Sequence, residues 1–201
     1  MNEAGLSPNT TGVSEKIGDQ QADCMLGWNN SFRYKNFALS FQIDGRLGGD
    51  IYSYTNYALQ IAGRAECTAP GGMREDFVVD GVIRQQDGSY APSTIKVSQQ
   101  DYWQAIGTGN TGIGEANIYD ATNIRLRNIA LNYSFPSSML KKTIFQQLKL
   151  GFSINNVWMI YSDMNGIDPE AVFITNTNAT GFENCASPTS RSYLFNVTLG
   201  F

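Results

Sequence analysis

Histidine is absent from the 201 residues of this chain, which removes the commonest general base and the commonest metal ligand together. Charge is scarce too, at 16% of the sequence with a net of −4. The 14 basic residues are scattered, with Lys141-Lys142 the longest basic run. A nucleic-acid partner is therefore excluded, because phosphate neutralisation needs clustered Lys and Arg. Cys24, Cys67 and Cys185 have no CxxC spacing, which argues against a zinc or thioredoxin-type site. Mean hydropathy is −0.26, and no apolar run is long enough for a transmembrane helix. The opening Met1-Asn-Glu-Ala-Gly has no basic region followed by an apolar one, so no secretion signal is visible. No Ser elbow or paired-carboxylate motif appears, and the expectation is a protein that is not an enzyme, with no catalytic residue, no metal and no cofactor.

What is present is aromatic and alternating. Aromatics make up 12% of the chain, which together with the low charge argues against disorder. Strict period-2 alternation marks strands with two unlike faces. Phe37, Leu39, Phe41 and Ile43 share a face against Ala38, Ser40, Gln42, Asp44 and Arg46. Ile129, Leu131, Tyr133 and Phe135 alternate with Asn128, Ala130, Asn132 and Ser134. Leu148, Leu150, Phe152 and Ile154 alternate with Lys149, Gly151, Ser153 and Asn155. Tyr193, Phe195, Val197, Leu199 and Phe201 alternate with Ser192, Leu194, Asn196, Thr198 and Gly200. A weaker pattern sets Leu26, Trp28, Phe32 and Tyr34 on one face, interrupted by Asn30. Five strands follow, over 23–34, 37–48, 118–135, 146–158 and 190–201, with 1–22 a polar loop remnant.

Soluble β-sandwiches alternate as well, and a sandwich that binds carbohydrate is the competing reading. Three features favour an antiparallel up-and-down transmembrane β-barrel, all-β in class. The strands exceed the usual five or six residues. Their polar face carries Ser, Asn, Thr, Gly and Gln and few of the Lys and Glu of a soluble exterior. Aromatics gather at strand ends, where an interfacial girdle lies. Connection lengths add to this: Lys35-Asn36 and 136–145 are short, whereas 49–117 and 159–189 are long. Short and long alternate as periplasmic turns and extracellular loops do.

The chain resembles the C-terminal end of SusC/RagA-type TonB-dependent transporters of the bacterial outer membrane. The resemblance rests on Phe32-Arg33-Tyr34-Lys35-Asn36-Phe37 leading into ALSFQIDGRLGG, on NIRLRNIALNYSFP at 123–136 and on LKLGFSINNVW at 148–158. NGIDPE at 165–170 and SPTSRSYLFNVTLGF at 187–201 complete it. It implies about the last five strands of a 22-strand barrel, in contact with membrane lipid, and import of large nutrients, oligosaccharides first and peptides second. It also implies partners: a SusD-like surface lipoprotein over the outer loops, the TonB complex acting through a plug, and the barrel-assembly machinery. On this reading the chain is a fragment or a truncated reading frame, incomplete as an importer by itself.

Several residues carry specific expectations. Tyr193, Phe195, Val197, Leu199 and Phe201 form a candidate assembly signal, an apolar strand recognised by strand addition. Tyr52, Tyr54, Tyr57, Tyr90, Tyr102 and Trp103 in the first long loop are candidates for stacking on sugar rings, against the plainer account that they pack the loop's own core. The stretch 51–63 fits a short helix loosely. Cys67 and Cys185 are candidates for a disulfide joining the long loops, with Cys24 left over or the true partner. Asp168-Pro169 favours a turn, with Glu170 opening a short helix; a metal-binding acidic pair is the weaker reading. Asp44 and Arg46 line the polar face. Gly107 to Gly112 match GxGxxG, but strand-like sequence follows where a dinucleotide site needs a helix.

Overall fold

A computed structural model describes residues 6, 16–107, 113–164, 166–172, 177 and 179–201. The chain is mostly β-strand with little helix. In chain order the elements are β1 (Cys24–Tyr34), β2 (Phe37–Leu47), β3 (Asp50–Ser53), α1 (Tyr54–Ile61), β4 (Phe77–Val78), β5 (Val82–Arg84) and β6 (Tyr90–Pro92). They continue as β7 (Lys96–Val97), α2 (Gln99–Ile106), β8 (Ile118–Asp120), β9 (Asn123–Ser134), α3 (Ser137–Leu140), β10 (Gln147–Ser162), β11 (Phe182–Glu183) and β12 (Ser192–Gly200). Two compact units form: one from 20–50, 120–172 and 186–201, the other from 1–19, 51–119 and 173–185.

The first unit is a five-stranded sheet in the order β1-β2-β9-β10-β12, every neighbouring pair antiparallel. The two-residue turn between β1 and β2 places Lys35 at φ 51, the left-handed conformation that a tight hairpin demands. Register converts the sequence alternation into rows that cross the sheet. Phe32, Leu39, Leu131, Phe152 and Phe195 stand opposite one another from strand to strand, as do Tyr34, Phe37, Tyr133, Leu150 and Val197. The intervening positions give the polar row Asn29, Gln42, Asn128, Asn155 and Ser192. One face is thus apolar apart from Asn30 and the other largely polar, because a period of two sorts the residues this way once register is fixed.

The register shifts along β9 and β10. Along β9, Ile124 and Leu126 fall on even numbers, whereas Ile129, Leu131 and Tyr133 fall on odd ones. Gln42 pairs with Asn128 and Ile43 with Leu126, so Arg127 is the extra residue of a β-bulge. Opposite it β10 jumps from Asn155 to Trp158, with Asn156 at φ 51. The bulge puts Arg125, Arg127 and Asn128 close together toward the polar face.

Three sequence expectations about elements are corrected. The stretch 118–135 is divided, because the Asp120 carboxylate accepts the Thr122 N–H at 2.7 Å and turns the chain. Residues 159–162, assigned to a loop, continue β10, and the double register shift there hides the alternation. Glu170 begins no helix: Glu170 N–H donates to Asp168 Oδ1 at 3.0 Å in a turn.

The second unit holds short elements. β3 runs parallel to β11, with Tyr52 opposite Phe182 and Ser53 opposite Glu183, and it also pairs with β8. β4 pairs with β7, and β5 with β6. The helix expected over 51–63 is confined to α1, because Asp50–Ser53 is strand and Ser53 is the cap, its hydroxyl accepting from Asn56 N–H at 3.2 Å. α2 has no counterpart in the sequence reading, although Ser98-Gln-Gln-Asp101 is a capping signature: Ser98 Oγ accepts from Asp101 N–H and donates to its carboxylate.

Candidate functional site

The apolar face of the sheet is open. Trp28 is 56% exposed, Phe152 44% and Phe195 69%. Residues of this size are normally buried, and a contiguous apolar surface of this kind marks contact with another protein or with lipid. Aromatic pairs concentrate toward one end: Phe37 packs tilted against Tyr133 at 4.6 Å, Phe135 edge-on against Tyr133 at 4.8 Å and Phe145 tilted against Phe201 at 5.3 Å. Tyr193, Phe195, Val197, Leu199 and Phe201 all belong to this exposed set, and among the described residues β12 has only β10 beside it.

The polar face carries an ion-pair cluster fastened by the two arginines of the bulge. Arg125 is almost wholly buried, its side chain 4% exposed and that of Asp168 9%. Arg125 Nη2 donates to Asp168 Oδ1 at 2.5 Å and Nη1 to Thr189 Oγ1 at 2.7 Å. Asp168 Oδ2 accepts from both Thr189 N–H and Thr189 Oγ1. Burial pushes the Asp168 carboxyl up, but the Arg125 guanidinium, the Thr189 hydroxyl and two backbone N–H groups outweigh it and hold the carboxyl down at about 2. Arg127 takes Glu170 with both terminal nitrogens, at 2.7 and 2.5 Å, and gives Nε to Asp44 at 2.8 Å. This fork geometry is what Arg supplies and Lys cannot. Together the four side chains strap the segment after β10 onto the sheet.

Asp44 thus pairs with Arg127 and not with its sequence neighbour Arg46, which donates to Gln20 and Gly48 carbonyls. Asp168 and Glu170 have their carboxylates committed to arginines, which leaves the acidic pair poorly suited to a metal. Sequence reasoning missed Arg125 and Arg127 altogether. The signal available was the reversal of alternation at Arg127-Asn128, which places two polar residues in succession inside a strand.

The loop aromatics do not form one platform. Tyr54 stacks on Tyr57 at 5.1 Å, and Tyr57 Oη donates to Gly107 O at 2.6 Å. Tyr52 meets Phe182 at 6.0 Å. Tyr102 stands edge-on to Trp103 at 5.2 Å, with Phe77 beyond it at 5.1 Å. Tyr90, in the β5–β6 hairpin, is exposed. Cys24, Cys67 and Cys185 are free, exposed thiols, so the structure contains no Cys67–Cys185 bridge. What holds the two loop segments is Glu183, 2% exposed, whose carboxylate accepts from Ser53 Oγ, Thr55 N–H and Thr55 Oγ1. The glycine motif at 107–112 lies outside the described residues beyond Gly107, which ends α2.

The chain is 27% identical over 190 residues to TonB-dependent receptor P3 of Formosa agariphila, and 29% identical over 187 residues to TonB-dependent receptor P39 of the same bacterium. Its relatives are TonB-dependent receptors. Each match covers 92% of this chain and 17% of the relative, so the chain spans about a sixth of their length. No family profile matches. In three dimensions the chain is similar to the RagAB peptide importer in its open-open and closed-closed states, with TM-scores of 0.52 and 0.55 at 12% identity. These cover 88% and 94% of this chain, and 17% and 18% of the importer chain. The fold is therefore that of a stretch of the RagAB importer chain, and the curated relatives are receptors.

Proposed function

We propose that the chain supplies wall strands and outer loops of a TonB-dependent importer of large nutrients in the outer membrane of a Gram-negative bacterium. The observation that carries this is the sheet with two unlike faces. Apolar rows cross all five strands and stay exposed, as lipid contact requires, while the opposite face is amide- and hydroxyl-rich, as a wet lumen requires. A β-sandwich would bury such rows against a second sheet. On this reading β1, β2, β9, β10 and β12 are about five of 22 strands, and the turn after β1 and the connection after β9 face the periplasm. β2 to β9 and β10 to β12 are then joined by extracellular loops, and the row ending at Phe201 serves barrel assembly.

Oligosaccharides are the favoured cargo, with the loop aromatics as contact points and peptides as the runner-up, the cargo of the RagAB importer. A SusD-like lipoprotein would close over the outer loops, and TonB would act through a plug. The test is uptake by cells carrying the full-length protein. Labelled oligosaccharide should accumulate only with functional TonB, and the protein should need detergent for extraction and migrate anomalously until heated. Full solubility without detergent would overturn the barrel reading; TonB-dependent uptake of peptides alone would overturn the glycan assignment and leave the importer standing.

A further inference from the structure

We propose that Phe77, Tyr102 and Trp103 form an aromatic cage for an organic ammonium group, with Glu75 and Asp76 as its counter-charges. The three rings line a recess of about 450 Å³ together with Met73, Glu75 and Asp76. They come from two elements: Phe77 from β4, and Tyr102 and Trp103 from α2. Phe77 and Tyr102 lie at 77° with centroids 5.1 Å apart, and Tyr102 and Trp103 at 83° with centroids 5.2 Å apart. Each pair is edge-to-face, so the three rings differ in orientation around the recess they line. A cation over such faces is attracted by the ring quadrupoles, most strongly where water is excluded.

Two further facts separate this recess from an ordinary gap between side chains. Its lining contains two carboxylates and no Lys or Arg. Arg74, adjacent in sequence, donates to Gly63 O at 2.6 Å and lines the adjoining recess of about 260 Å³, which is rich in glutamine and shares Gln99 and Trp103 with this one. The cavity is thus aromatic-walled and net negative, which disfavours an anion and gives a neutral apolar group no use for the carboxylates. Trp103 is also fixed: its Nε1–H donates to Gln99 Oε1 at 3.1 Å, which holds the indole plane in place before any ligand arrives. The chemistry fits a quaternary ammonium or the side chain of lysine, and it stands independently of the importer reading.

The experiment is titration calorimetry on the full-length protein in detergent, with choline, tetramethylammonium, tri-lysine and the uncharged tert-butyl analogue of choline as probes. The expected result is saturable binding of a cation, with the uncharged analogue about tenfold weaker or worse. Preference for choline assigns the site to a free quaternary ammonium, and preference for tri-lysine to a peptide side chain. Phe77→Leu and Trp103→Leu keep apolar volume and should each weaken binding about tenfold. Glu75→Gln with Asp76→Asn should weaken it at low salt and flatten its salt dependence, and Val82→Ala, at an exposed position outside the recess, should change nothing. Equal binding of the uncharged analogue, or full affinity in Phe77→Leu with amide protection of α2 intact, would overturn the cage. Absence of binding by every cation would overturn it as well.

Discussion

The sheet unit and the loop unit of this chain are ordered by different means. In the sheet, large apolar side chains such as Phe195 and Trp28 are exposed, and order comes from strand ladders whose register repeats every two residues. In the loop unit the largest fully buried side chains include Ile51, Glu183 and Asn117, and polar groups such as Glu183, Ser53 and Thr68 are 2% exposed or less. There, Glu183, Ser53 and Thr68 satisfy individual backbone and hydroxyl groups. A sheet of the first kind tolerates many sequences with the right alternation. A loop of the second kind depends on a few residues that nothing else replaces.

The largest test of that contrast lies where the sheet borrows the loop's method, at Arg125 and Asp168. Asp168→Ala leaves a guanidinium buried with Glu170 as its nearest remaining carboxylate, at 3.6 Å, and should cost about 3–5 kcal/mol. Hydrogen exchange on the full-length protein should show protection lost around 164–171 and 189 while the centre of β9 stays protected. Acid should do the same. The folded carboxyl, near 2, lies below its unfolded value of about 3.9. Its contribution is therefore complete above about pH 4 and fades as the pH falls toward about 2, with no change near neutrality. Pepsin should begin to cut 163–172 across that window, and wild type and Asp168→Asn should differ above it and converge below it.

A second test strikes the sheet by its own rule. Phe152 lies between Leu131 and Phe195 in a row crossing all five strands. Phe152→Lys should cost about 2–4 kcal/mol if that face meets lipid near the bilayer centre, read as lost heat-modifiability in the full-length protein. Tyr90→Lys, on an exposed hairpin of the loop unit, should be silent. Equal effects at the two positions would erase the distinction between the units.

The same distinction explains what the sequence disclosed. Alternation at 37–43, 148–154 and 193–199 was legible because it is a local periodic property, and the hairpin at Lys35-Asn36 because its length was visible. The bulge at Arg127 was in plain view as a phase reversal, yet it also shortened the apparent run of β10. The ion-pair partners were not legible: Arg125 and Asp168 are 43 residues apart, and nothing in either neighbourhood specifies the other. The loop aromatics were identifiable as residues but not as groups, because Phe77 joins Tyr102 only through the pairing of β4 with β7 and the cap on α2.

Glu183 supplies the smallest and most local test. Its carboxylate is 128 residues from Thr55, the first turn of α1, and it accepts three hydrogen bonds there. Glu183→Ala would strand two hydroxyls and one backbone N–H, two of which sit at the start of a helix only eight residues long. The cost should be about 1–3 kcal/mol, most of it confined to the loop unit. α1 should exchange its amides faster, and the Tyr57–Gly107 hydrogen bond should loosen with it, while β9 and β10 keep their protection. Glu183→Gln retains one acceptor oxygen and should recover part of the loss. If β9 and β10 lose protection in step with α1, the two units are one cooperative structure, and their separate modes of order are two descriptions of a single fold.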